Sequence, residues 1–178
     1  MTLAITDIGV YLTTLAGAQG SSVAQSDPTA SRGKYASTTP LTSGLAGALF
    51  NEVSAAQAGA GYTDYRCVAV RNLSAVDSML NAAAYINDPT GGGTFYIGKD
   101  PAGIVAYDSV AVQGTDIASV TVTPTGVTFG AYPAASPLAI GTMAPNTVQL
   151  VWVKRVVGAD TPGTAADTVT VGVRAETT

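Results

Sequence analysis

From residue 62 onward, apolar side chains fall at alternate positions in short runs, and Gly, Pro, Asn or Asp closes most of them. Period-two alternation is the signature of a strand with one buried face. Tyr65–Asn72 (YRCVAVRN) sets Arg66, Val68 and Val70 against Cys67 and Ala69. Met79–Ile86 is a second run, closed by Asn87-Asp88-Pro89 and three glycines, and Thr94–Gly98 follows. Val105–Val112, Ile117–Thr123 and Pro137–Ile140 read as further strands. Val148–Val157 (VQLVWVKRVV) is apolar on both faces, with Val148, Leu150 and Trp152 on one and Val151 and Val153 on the other. A strand of that kind is central or covered by an interface. Thr168–Arg174 points Val169, Val171 and Val173 inward. No helical intervals separate these runs. They predict an all-β fold, an antiparallel two-layer β-sandwich, Greek-key or jelly-roll-like in topology.

The first third of the chain has another texture. Leu41, Leu45 and Leu49 recur at helical spacing, which predicts a short helix over Ser43–Asn51, weakened by Gly44 and Gly47. Gly59-Ala60-Gly61 ends that connection. Residues 1–40 are rich in Ala, Gly, Ser and Thr, and their middle has few large apolar groups to bury. This segment reads as an extended N-terminal arm, with the sandwich domain over 41–178. Its sizeable apolar side chains, Leu3, Ile5, Ile8, Val10, Tyr11, Leu12, Leu15 and Tyr35, are the candidate assembly contacts.

Composition removes several kinds of function. The 178 residues include no histidine, which excludes the Ser-His-Asp triad, the Cys-His dyad and the HExxH zinc site. Eight Lys and Arg against twelve Asp and Glu give a net charge of −4, and no basic cluster longer than Lys154-Arg155 exists. A nucleic-acid partner is therefore not expected. Nor is a membrane: the N-terminus lacks a basic signal region, and no long apolar run is present. Only 11% of residues are charged. A surface so poor in charge suits a protein covered by copies of itself or by neighbours.

Candidate chemistry is sparse. The loop Asp88-Pro89-Thr90-Gly91-Gly92-Gly93 lacks the Lys and Ser/Thr of a P-loop and reads as a hairpin loop. Asp88, Asp100, Asp108 and Asp116 do not have calcium-loop spacing, and their Pro, Gly, Ser and Thr neighbours indicate turns. Asp100 and Asp108 would be the residues of an enzyme using carboxylates. Tyr62, Tyr107 and Tyr132 would be the platform of a carbohydrate- or receptor-binding module. Cys67 reads as a core residue because its neighbour Arg66 points to the opposite face. Trp152, Phe95 and Phe129 read as core, and Lys154-Arg155 as a solvated or salt-bridged strand end. No cofactor, metal site or catalytic group is expected.

One ordered series of motifs goes further. Leu49-Phe50-Asn51-Glu52-Val53-Ser54 is followed by Ala58–Gly61, by Thr63-Asp64-Tyr65-Arg66-Cys67-Val68, and by Arg71-Asn72. Tyr96–Asp100, Thr125–Phe129, Leu138–Gly141, Ala144–Asn146, Val151–Arg155 and Asp167–Glu176 then come in sequence. The series resembles a family of tailed-bacteriophage virion structural proteins, over about residues 45–178. The resemblance implies a non-enzymatic virion structural protein and leaves head decoration, neck, tail and baseplate open. The leading expectation is a β-sandwich made in the bacterial cytoplasm and assembled in many copies as a capsid decoration or cement protein. A neck, tail or baseplate component is the alternative. Partners would be copies of the chain and other virion proteins, such as major capsid or neck and tail subunits.

Overall fold

The computed structural model describes residues 5–16, 23–43, 47–107, 111–161 and 168–176, apart from the side chains of Ile5 and Asp88. In it two antiparallel sheets pack face to face. The larger sheet orders its strands β2 (Tyr35–Pro40), β1 (Ile8–Thr14), β3 (Tyr62–Asn72), β8 (Thr147–Val157) and β5 (Gly93–Lys99). The two-residue β6 (Val105–Ala106) joins β8 beyond the end of β5. The smaller sheet is β7 (Leu138–Met143), β4 (Met79–Thr90) and β9 (Thr168–Glu176).

Both faces of the larger sheet are buried. On the inner face Val68 and Val70 of β3, Val151 and Val153 of β8, and Phe95 and Ile97 of β5 meet Met79, Ala82, Ala84, Ile86, Ile140 and Met143 of the smaller sheet. On the outer face Tyr65, Cys67, Ala69, Val148, Leu150 and Trp152 pack with Ala36, Ile117, Val127 and Phe129. The cover here is irregular chain. Residues 32–34 and 113–117 run alongside each other, tied by Lys34 N–H to Thr115 O, Gln113 N–H to Lys34 O and Ile117 N–H to Arg32 O. The double-sided apolar pattern of β8 thus reflects a central strand between β3 and β5, with a sheet below it and a loop layer above.

Several expectations change. Within the segment expected as an arm, residues 8–14 and 35–40 are strands of the larger sheet. Ile8, Val10 and Leu12 alternate toward the inner core, and Leu41 N–H donates to Val10 O. The domain starts at β1, and the boundary at residue 40 is not a structural one. The described part of Ser43–Asn51 is turn rather than helix, because Leu49 and Phe50 are drawn into the inner core. The helix is α1 (Ala55–Ala60), closed at its start by a reciprocal Ser54–Gln57 capping box. Ile117–Thr123 is not a strand: Ile117 alone is buried and Val122 is 46% exposed. Val105–Val112 shrinks to β6 in its described part. The Gly91-Gly92 turn does not close a hairpin, since β5 pairs with β8 while β4 pairs with β7 and β9. From β3 on, every link except β5 to β6 crosses from one sheet to the other.

Candidate functional site

Four features gather the polar and aromatic side chains. The first lies at one end of the inner core. β3 places Asp64 and Arg66 on the same face, and the register sets Asp64 opposite Arg155. Arg155 donates from Nε to Oδ1 and from an Nη to Oδ2, both at 3.0 Å. Arg66 Nη1 lies 3.4 Å from Oδ2 and donates to Tyr65 O at 3.0 Å. All three side chains are at most 2% exposed. Phe50 lies across both cations, 5.3 Å from the Arg66 guanidinium carbon and 4.8 Å from that of Arg155, and meets Phe95 edge-on. Burial lowers the affinity of Arg66 for its proton, and Asp64 acts against that shift. A carboxylate flanked by two guanidinium groups, all three side chains at most 2% exposed, ties the two central strands together.

The second feature organises the loop layer. Asp100, 1% exposed, follows β5 and turns its carboxylate over the outer face. Oδ2 accepts from Trp152 Nε1 at 2.8 Å, from Thr115 N–H at 3.0 Å and from the Thr115 hydroxyl, while Oδ1 accepts from Ala102 N–H at 3.0 Å. Asp100 is thus a turn residue whose oxygens are occupied. Next to it, Cys67 is fully buried and pairs with Trp152 in register. Burial first, and the Asp100 charge second, push its thiol well above the usual range. Such a thiol is held neutral and is a poor nucleophile.

The third is a stack at the rim of the outer face. The Arg71 guanidinium carbon sits 4.7 Å from the Tyr11 ring centre and 3.1 Å from that of Tyr107. Burial lowers its proton affinity, with Tyr107 and Tyr11 opposing. Tyr107 belongs to the outer layer, whereas Tyr132 packs on the inner core and Tyr62 starts β3 opposite Val157. The three tyrosines considered as a platform are not brought together. Among the four aspartates, Asp100 is buried and Asp116 is exposed beside Gly33, while Asp108 and the Asp88 side chain lie outside the described residues. Among the described residues no three Asp, Glu or Cys converge as a metal site.

The fourth is a groove of about 740 Å³ between β1, the 40–50 segment and β9. Several candidate contacts come to it. Ile8, Val10 and Tyr11 line it, and Ile8 and Val10 are only half-buried. Leu12 and Tyr35 are core residues, 5% and 4% exposed, and Leu15 is half-buried. Ile5 starts a short 3-10 turn, and Leu3 lies outside the described residues. Neither the groove nor the buried tie was visible beforehand, because both depend on strand register. The period-two placement of Asp64 and Arg66 on one face was the available signal for the tie.

Compared with protein-family models and with curated proteins, the chain matches none.

Proposed function

We propose that this chain is a non-enzymatic structural component of a tailed-bacteriophage particle, present in many copies and decorating or cementing the capsid. The observation that carries the reading is the ordered motif series from Leu49 to Glu176, which resembles virion structural proteins of such phages. The structure gives those motifs structural work. Asp64-Tyr65-Arg66-Cys67-Val68 and Val151–Arg155 are facing segments of the two central strands, and Asp64, Arg66 and Arg155 among them form the buried tie. Thr125–Phe129 belongs to the loop layer, and Val127 and Phe129 seal the outer core.

Low charge supports the same reading. With 11% charged residues, the chain has little of the charge repulsion that keeps subunits apart, and contact area does the work of function. Repetition on a lattice multiplies weak contacts through avidity. A polypeptide acting this way needs no cofactor, and its partners are copies of itself and neighbouring virion subunits.

Quantitative mass spectrometry of purified particles tests the proposal. Capsid decoration predicts this chain at a copy number near that of the major capsid subunit. A copy number in the range of a dozen, as for a neck, tail or baseplate ring, would move it to that position. Absence from particles would end the virion reading. Removal of residues 1–40 is a poor test of assembly, because it strips β1 and β2 from the larger sheet.

A further inference from the structure

The chain has five arginines, and four of them donate a hydrogen bond to another group of the protein. Arg32 reaches Ala118 O, Arg66 reaches Tyr65 O, Arg155 grips Asp64 and Arg174 reaches Ala134 O. Arg71 is the exception. Among the described residues its guanidinium meets no hydrogen-bond acceptor and no carboxylate; what it meets are the rings of Tyr11 and Tyr107. Its Nε is closed off from water with no acceptor, whereas both Nη atoms remain open to water.

The surroundings hold the group in this position. Arg71 lies on β3 between Gly9 of β1 and Val148 of β8, on the face that carries Cys67 and Ala69. Gly9 clears the place of Tyr11: a Cβ on it would lie 2.5 Å from the Tyr11 ring and 3.1 Å from Leu73. Its φ is not positive, so close approach and not turn geometry calls for the glycine. Tyr107, just after β6, is fixed through its main chain. Its N–H donates to Asn146 O at 3.1 Å, and its carbonyl accepts from Gln113 Nε2 at 2.8 Å. Gln113 is itself 1% exposed, and its Oε1 accepts from Ala36 N–H.

A guanidinium carries five N–H donors in a rigid planar fork, and leaving them unmatched in a half-buried place is unfavourable. Aromatic faces attract its charge but leave the in-plane donors without acceptors. The two outward Nη groups form a pair of donors spaced like the two oxygens of a carboxylate. Withdrawal of the inner half from water strengthens the pull on an arriving anion. A phosphate dianion is better matched by a cluster of cations. Here no second cation acts on Arg71 among the described residues. Arginine and tyrosine are also the side chains on which protein contacts most often turn.

We infer that Arg71, flanked by Tyr11 and Tyr107, is a carboxylate-binding site, whose two Nη groups donate side by side to the oxygens of an Asp, Glu or C-terminal carboxylate presented by another molecule. Gly9 and Gln113 are its positioning residues. The site goes beyond the virion reading and stands or falls on the purified chain alone.

Titration of the isotope-labelled full-length chain with sodium acetate tests it, followed by NMR at neutral pH and constant ionic strength, with chloride as the control. The Arg71 Nε–H is shielded from water and gives a slowly exchanging signal, assigned by its loss in Arg71→Gln. Arg71→Lys serves for the assignment should the glutamine variant not fold. Acetate is expected to move the Arg71 signal to saturation and to leave the other four arginines in place. An Arg71 signal that moves no more than theirs, or equally with chloride, overturns the inference. So does inorganic phosphate saturating at a lower concentration than acetate, because the site would then suit phosphate groups. The backbone amides of Tyr11 and Tyr107 are a second readout. They should follow acetate in the parent and stop following it in the folded Arg71 variant; amides that still follow it overturn the inference. Light scattering over the same acetate series separates the sources. A mass that falls as acetate rises assigns the carboxylate to a second copy of this chain, and a constant mass assigns it to a different molecule.

Discussion

Arg155 grips Asp64 from the strand alongside, with two parallel 3.0 Å hydrogen bonds in a setting almost closed to water. The pair is 91 residues apart in sequence and directly opposed in the β3–β8 ladder. Arg66 adds a second cation to the same carboxylate, so a single anion balances two buried guanidinium groups.

Asp64→Ala is therefore expected to be severe. It strands two cations in a dry core, and breaking a buried pair in this way costs about 3–5 kcal/mol. Urea unfolding should show a midpoint far below that of the parent. Replacing all three members, as in Asp64→Leu with Arg66→Met and Arg155→Met, should recover much of the loss, since well-packed apolar groups substitute for a buried ion triad at little cost. A triple variant as unstable as Asp64→Ala would show that the tie is not the source of the effect.

Trp152 offers an optical test of the loop layer. It is the only tryptophan, it is fully buried, and its indole N–H reaches the Asp100 carboxylate. Trp152→Phe leaves Oδ2 one donor short in a buried site, which costs about 1–3 kcal/mol. Asp100→Ala removes the acceptor from Trp152, Thr115 and Ala102 together. It should shift the tryptophan emission to the red and speed amide exchange at Ala102 and Thr115, while β4 and β9 amides stay protected.

Alkaline pH should destabilise the protein through Cys67. Its thiol is raised above the ordinary value of 9.0 by burial. The folded state keeps the proton while the unfolded chain loses it, so the unfolded state binds fewer protons above that value and stability falls as pH rises through it. Below about pH 9 the contribution is level. Cys67→Ala should remove this part of the alkaline decline in chemical unfolding curves. Iodoacetamide should leave the native thiol unmodified at pH 8 and label it once the chain is unfolded.

Gly33 is wedged between Thr115 of the loop layer and the Trp152 ring of the sheet. A Cβ there would lie 2.0 Å from Thr115 O and 2.8 Å from the Trp152 ring, on a residue with φ of +90°. Gly103 has φ of +75° and open space around it. Gly103→Ala should cost about 1 kcal/mol from backbone strain alone. Gly33→Ala should cost several times as much, read as the difference between the two melting temperatures. Equal shifts would mean that the loop layer yields freely.

Much of this architecture could be read from alternation. Val148, Leu150 and Trp152 against Val151 and Val153 announced a strand covered on both faces, and β8 is the central strand. Tyr65–Asn72 and Thr168–Arg174 lie inside β3 and β9. Where composition was given more weight than period, the reading changed. The Ser- and Gly-rich middle of residues 1–40 hid the Ile8, Val10, Leu12 alternation of β1. The Ser54-x-x-Gln57 box of α1 was written in the chain but lay just beyond the leucine spacing that drew attention to Ser43–Asn51. Ile117–Thr123 has β-branched residues without a long ladder, since its Val120 carbonyl meets only the Tyr65 N–H in a single backbone bond to β3. The Asp64–Arg155 tie and the groove were out of reach, because each depends on which strands become neighbours across long intervals of sequence.

The crossing of nearly every connection between sheets has a consequence for synthesis. β8 is the common neighbour of β3, β5 and β6, yet it comes late in the chain. Until β8 has been made, β3 has no second flank and β5 has only the single bridge between Ile97 and Gly130. The nascent polypeptide must wait with its valines uncovered, which makes the time before β8 emerges the interval in which chaperones and premature self-association compete for it.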